Sequence, residues 1–125
     1  KALIQAWEAA LRAPVYADKP RLFHGDLHWG NLLARDGQLH AVIDWGCFAK
    51  GDPAVDLLPG WWLFDPSTRQ TFLQATGADA DEIARGRGWA LSIALIGLAY
   101  YRDGRNEVLA AMNRTAISAV LDDLG

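Results

Sequence analysis

The sequence predicts an α+β domain, mostly α-helical, built around one small β-hairpin. Three observations predict it. Apolar residues recur at helical spacing in several segments that stop at proline or glycine. Two apolar runs flank Asp36-Gly37, a dipeptide suited to the positive φ angles of a tight hairpin turn. Around that turn, LFHGDLHWGNLL (22–33) and HAVIDWG (40–46) set histidines, aspartates and an asparagine among residues otherwise fit for a core. Burying polar groups without partners costs free energy, so this concentration asks for a chemical reason.

Taken in order, Ala2–Ala13 places Leu3, Ile4, Trp7, Ala10 and Leu11 at helical spacing, and Pro14 ends the helix. RLFHGD (21–26) reads as a short buried strand entering a loop. NLLARDGQLHAVID (31–44) is the hairpin, with Asn31 at the start of its first strand and Asp44 at the end of its second. Gly51-Asp52-Pro53 turns the chain, and Pro53 opens a short helix. Pro66 opens another, which Gly77 stops. Asp79–Glu82 matches a capping box, Asp79 capping and Glu82 reaching back, before a helix that runs to about Tyr101 and stops at Asp103-Gly104. Asn106–Leu124 forms the last helix. With no repeat, low-complexity tract or linker, residues 1–125 read as one domain.

Composition narrows the partners. The 51% hydrophobic and 22% charged content is that of a globular chain. A net charge of −3 argues against nucleic acid or an anionic membrane as the main partner. The apolar stretch Trp89–Tyr101 falls short of the roughly 20 residues that span a bilayer. The single Cys47 cannot form an internal disulfide, and no signal peptide is visible, so the cytoplasm is the expected compartment. The chain opens at Lys1, already in a helical pattern, and reads as a processed, trimmed or partial chain.

Antiparallel pairing across Asp36-Gly37 would bring Asn31 and Asp44 together, with Asp26 in the loop just before. Two oxygen ligands, one of them anionic, suit Mg²⁺, which leaves its other positions to water and phosphate. A carboxylate nearby would accept a proton from an attacking hydroxyl or orient it. Metal, phosphate and a positioned alcohol are the equipment of phosphoryl transfer.

These segments resemble a known family. HGDLHWGNLL followed by VIDWG is similar to the catalytic and metal-binding segments of the aminoglycoside phosphotransferases, kinase-fold enzymes that phosphorylate small molecules. His24, Asp26 and Asn31 keep the spacing of the protein-kinase motif H-R-D-x-x-x-x-N, and Asp44-Trp45-Gly46 stands where protein kinases carry Asp-Phe-Gly. Gly25 replaces the arginine; both changes match the small-molecule branch. GDPAVDLL (51–58) also fits that family.

The resemblance implies a protein-kinase-like C-terminal lobe whose parent transfers the γ-phosphoryl group of ATP or GTP to a small-molecule hydroxyl, an aminoglycoside-like antibiotic among the acceptors. It implies Asp26 as catalytic base or hydroxyl-orienting group and His24 as a brace of the catalytic loop. Asn31 and Asp44 would hold Mg²⁺ and, through it, the nucleotide. Asp56 would accept hydrogen bonds from the catalytic-loop backbone, with Gly46 supporting the turn after Asp44; Asp52 is a turn-former. In the family an N-terminal lobe adds a strand-borne lysine and a loop over the phosphates. Here Lys1, Lys19 and Lys50 lie outside any convincing strand, and no glycine-rich loop precedes His24. The expectation is therefore a C-terminal lobe without its N-terminal partner, with little activity alone.

Blander readings stand beside these. His24-x-Asp26-x-His28 superficially matches a metallohydrolase, but transition-metal sites want three or four protein ligands and only His40 remains elsewhere. His28 then packs the loop. Trp29 and Trp45 flank the proposed site and would stack on a base or sugar, although the commoner role is core; Trp61, Trp62 and Trp89 are core by default. Asp79, Asp81, Glu82, Asp103, Glu107, Asp122 and Asp123 would attract a cationic acceptor, yet capping and a solvated terminus account for most of them. The helix through Trp89–Tyr101 is core first and one wall of a substrate cleft second. Cys47 has no basic neighbour in sequence to activate it. Two other classes remain: a His/Asp metal-dependent hydrolase and a non-catalytic binding module.

Overall fold

The computed structural model describes residues 1–125. Helix α1 (Ala2–Leu11) is followed by β1 (Arg21–Phe23) and a single 3-10 turn, Trp29–Asn31. That turn feeds β2 (Leu32–Arg35), which pairs antiparallel with β3 (Gln38–Val42). Asp36 at φ 51° and Gly37 at φ 76° form the two-residue connection, both in the left-handed region that such a hairpin requires. A bulge opposite Leu33 and Ala34 leaves His40 as the extra residue on β3. After a 3-10 turn at Trp45–Cys47, β4 (Ala49–Gly51) returns beside β1.

The remainder is helical. A 3-10 helix, Pro53–Leu57, leads into α2 (Pro59–Trp62), α3 (Pro66–Thr76), α4 (Ala80–Tyr101) and α5 (Glu107–Leu124). Asp79 caps its helix as the sequence indicates, and Asp52, Asp65 and Asn106 likewise accept a backbone N–H of the first turn. Gly77 at φ 69° closes α3. Helix α4 is the central pillar, packing on α1, α5 and the Pro53–Leu57 turn. Ala6, Leu57, Leu58, Trp61, Ala90, Leu91 and Val120 form the core beneath it. Full burial of Leu58 and Leu91 contributes about 2 kcal/mol each. Glycine costs about 1 kcal/mol against alanine inside a helix, but a Cβ on Gly86 would stand 2.9 Å from the Ala54 carbonyl oxygen. Close approach of α4 to the Pro53–Leu57 turn depends on its absence.

Several expectations fail in detail. Residues 21–23 are not a buried strand; β1 pairs only with the three-residue β4, and Arg21 and Leu22 are exposed. Asn31 ends the 3-10 turn one residue before β2, and Asp44 lies two residues beyond β3. Glu82 does not reach back to its cap, because its carboxylate faces Arg21 at 3.7 Å. Lys50 does lie in a strand, the centre of β4, too short to announce itself in sequence. Trp89 is 46% exposed rather than core, because the groove it borders with Trp7, Ala10 and Leu11 of α1 is left open. The apolar stripe of α1 is also open to solvent at Ile4, Trp7 and Leu11, and only Ala6 of that helix is buried.

Candidate active site

The loop between β1 and the Trp29–Asn31 turn is held from three sides. Asp56, on the Pro53–Leu57 turn, accepts the His24 N–H at 2.7 Å on one carboxylate oxygen and the Gly25 N–H at 2.8 Å on the other. Charge-assisted bonds of this kind are about twice as strong as neutral ones. Gly25 itself sits at φ 86°, and a Cβ there would stand 2.9 Å from the Cys47 carbonyl oxygen. A side chain at position 25 is thus barred twice, by backbone strain and by contact.

The buried His24 is a brace. Its Nδ1 accepts the Asp26 N–H at 3.1 Å, which leaves the proton on Nε2 to donate to the Ile43 carbonyl at 2.9 Å. Trp45 packs edge-on against the imidazole, ring centres 4.7 Å apart, and donates its indole N–H to Val42. Both ring nitrogens are committed, so His24 has none left for a metal. His28 accepts the Gly30 N–H on Nδ1 and points Nε2 at Asp26 Oδ2, 3.5 Å away. His40 stays on the exposed bulge. No three His, Cys, Asp or Glu side chains converge as metal ligands, which removes the geometric basis of the metallohydrolase alternative.

Asn31 is buried beside Asp26. Its Nδ2 donates to the Asp26 carbonyl at 2.8 Å and to Asp26 Oδ2 at 3.0 Å. Two acceptors on one side fix the amide orientation, so Oδ1 faces away from Asp26 and accepts no hydrogen bond. Asp26 Oδ1 is likewise unengaged. The backbone of the two hairpin ends is joined where the Ile43 N–H donates to the Asn31 carbonyl at 2.9 Å, one residue before Asp44. Asp44 adopts φ 57°, ψ 71°, a left-handed conformation for a non-glycine residue. Its exposed carboxylate takes only a long 3.4 Å bond from the Gly46 N–H. Gly46 leaves room for this, since a Cβ there would press on Asp44 Oδ1 at 3.3 Å. An unpaired amide oxygen on Asn31 and a nearly free carboxylate on Asp44, flanking the hairpin, are oxygen donors of the kind Mg²⁺ takes.

Beside Asp26 a cavity of about 390 Å³ opens between the loop and α4 and α5. Asp26, His28 and Trp62 border it on one side, Ile96, Tyr100 and Asn113 on the other. Asn113 is 2% exposed; its Nδ2 donates to the Leu109 carbonyl at 2.7 Å, and its Oδ1, set against Gly97, meets no donor. Neither α5 residue of this lining, Leu109 or Asn113, was singled out from sequence. A signal exists: Asn113 interrupts the buried repeat Ala110, Ala116, Val120 with a polar side chain. Trp29 and Trp45, expected mostly as core, are 57% and 54% exposed beside the loop, because the hairpin they flank is covered on one side only. Asp52 caps its turn and pairs with Arg85 at 2.8 Å.

Residues 1–89 match the model of the phosphotransferase enzyme family. A search of curated proteins finds no match to the chain. Among solved structures, a thermostable mutant of aminoglycoside phosphotransferase APH(4)-Ia is similar at TM-score 0.60 and 22% identity, over 99% of this chain and 44% of that one. The same holds for its ternary complex with AMP-PNP and hygromycin B. The gentamicin complex of APH(2")-IIa gives TM-score 0.56 and 22% identity over 95% of this chain and 44% of that one. The chain thus spans under half the length of the structures it matches, and these likenesses show a kinase-like fold of the aminoglycoside phosphotransferase type. No helix is long and apolar enough to cross a membrane.

Proposed function

From the premise that this chain belongs to the phosphotransferase enzyme family, we propose that it forms the C-terminal, catalytic-loop lobe of a small-molecule kinase. The observation that carries this reading is the Asp56–His24–Asp26–Asn31 network. It holds one carboxylate rigidly at a ligand-sized cavity and leaves one of its oxygens free. The reaction is transfer of the γ-phosphoryl group of ATP or GTP to a hydroxyl. The alcohol oxygen bonds to the γ-phosphorus, the bond from that phosphorus to the bridging oxygen breaks, and the nucleoside diphosphate leaves.

Asp26 borders the cavity and has Oδ1 unengaged, available as the acceptor of the hydroxyl proton or as the group that aims the hydroxyl. Asn31 keeps Asp26 Oδ2 occupied, so one rotamer and one free oxygen are presented. His24 and Asp56 fix the loop backbone, the kind of positioning on which most of the rate of phosphoryl transfer depends. Asn31 Oδ1 and Asp44 are the residues that would hold Mg²⁺. When bound, such an ion neutralises charge on the phosphate oxygens. The grip on the triphosphate, supplied in the family by an N-terminal lobe, would come from outside residues 1–125; the 44% span of the matched structures supports that division. The neighbours' names put an aminoglycoside forward as the acceptor to test first.

Asp26→Ala in the intact protein tests the reading. The transfer rate should fall by about 10²- to 10⁴-fold with folding stability unchanged. Retention of most of the rate refutes Asp26 as base or orienting group.

A further inference from the structure

We propose that the cavity beside Asp26 selects a neutral, largely apolar alcohol over a polycationic one. The phosphotransferase reading says what happens to the alcohol; the binding preference follows from the lining. At about 390 Å³ the cavity lies within the size range of small-ligand sites. Its walls are the indole of Trp62, the side chains of Ile93, Ile96 and Leu109, and the rings of Tyr100 and Tyr101. Asp26 is the one carboxylate among its lining residues. Every further ammonium group brought against such walls would lose part of its hydration and meet no counter-charge beyond Asp26.

The rim adds no negative surplus. Arg105 lies 5.2 Å from the centre of the Tyr100 ring and donates to the Tyr100 carbonyl, which sets a cation beside one of the lining residues. The acidic residues nearby are paired, Asp103 with Arg102 at 3.4 Å and Glu107 with Arg114 at 4.0 Å. Asp79, Asp81 and Glu82 line a different groove together with Lys19, Arg21 and Arg85. Besides Asp26 the lining offers the phenol groups of Tyr100 and Tyr101, hydroxyls that suit an alcohol's few donors rather than a series of ammonium groups.

The test compares 2-(2-naphthyl)ethanol with gentamicin by calorimetric titration of the full-length protein at fixed ionic strength. The neutral alcohol should bind at least about tenfold more tightly. Ile96→Asp, at a largely exposed position that tolerates a charge, should weaken the alcohol by about tenfold and strengthen gentamicin, whereas Ile96→Ala should give gentamicin no gain. Equal or tighter binding of gentamicin, no measurable binding of the alcohol, or indifference of the alcohol to Ile96→Asp each overturns the proposal. Mass spectrometry for the phosphorylated alcohol, formed with ATP and lost in Asp26→Ala, judges the phosphotransferase reading separately. A bound alcohol that is never phosphorylated counts against that reading and leaves the selectivity standing.

Discussion

Replacing Asp56 removes the acceptor of two backbone N–H groups in one step. The His24 and Gly25 amides donate to it at 2.7 and 2.8 Å, and both bonds end on a carboxylate in a half-buried setting. Bonds to charged groups are each worth about 1.5–3 kcal/mol net. Water reaching the freed amides returns part of that, so Asp56→Ala should cost about 2–4 kcal/mol. Asp56→Asn keeps one acceptor oxygen but turns an NH₂ toward the other amide, and should lose about 1–2 kcal/mol. Urea unfolding of the intact protein, followed by tryptophan fluorescence, measures both variants. The loop carries Asp26, and a displacement of about 1 Å costs on the order of 10²-fold in rate, so kcat should fall far more than nucleotide affinity. An Asp56→Ala protein within about 1 kcal/mol of wild type, with its transfer rate within about threefold, would falsify the clamp as the element that shapes the loop.

Other perturbations follow from the same geometry. Gly86→Ala pushes a methyl against the Ala54 carbonyl and the Leu57 side chain, and should destabilise by about 1–3 kcal/mol despite alanine's better helix propensity; a rise in melting temperature would contradict the packing argument. Asp44→Ala should abolish the Mg²⁺-dependent part of nucleotide affinity and leave the fold intact, which titration with and without the metal resolves. Asp65 is held below the ordinary aspartate value of 3.8, first by the Thr68 backbone N–H and then by the Ser67 hydroxyl. Its folded pKa being depressed, its contribution to α3 is complete above that value and is lost as pH falls below it. Denaturation curves of wild type and Asp65→Asn, which keeps the capping oxygen but loses the charge, should therefore converge only in acid; parallel curves at every pH would refute the depressed carboxyl.

The hairpin was legible because its signal is local. Asp36-Gly37 accepts two consecutive positive φ angles, and the runs on either side have nowhere to go but back along each other. The cap at Asp79 was legible for the same reason, since it satisfies an amide three residues away; Asp65 and Asn106 cap in the same way and went unread. The clamp from Asp56 was named only through the family resemblance, since nothing in the spacing of residues 24 and 56 says that they touch. The cavity was less legible still. Tyr100 and Asn113 come from two helices whose relative rotation is set by packing, and each helix taken alone reads as core. Trp89 misled for the converse reason: an aromatic in an apolar run promises burial, but the groove it shares with α1 stays open to solvent.

The non-glycine residues in left-handed backbone are all aspartates, 36, 44 and 103, and two of them immediately precede a glycine. At 36 and 103 the residue shapes a turn, and asparagine or glycine would fill the post as well or better. At 44 a glycine would also relax the chain, but it would erase the oxygen offered to a cation. A mutant library selected only for heat resistance should therefore drift at all three positions, and survivors altered at 44 should emerge sturdier and mute.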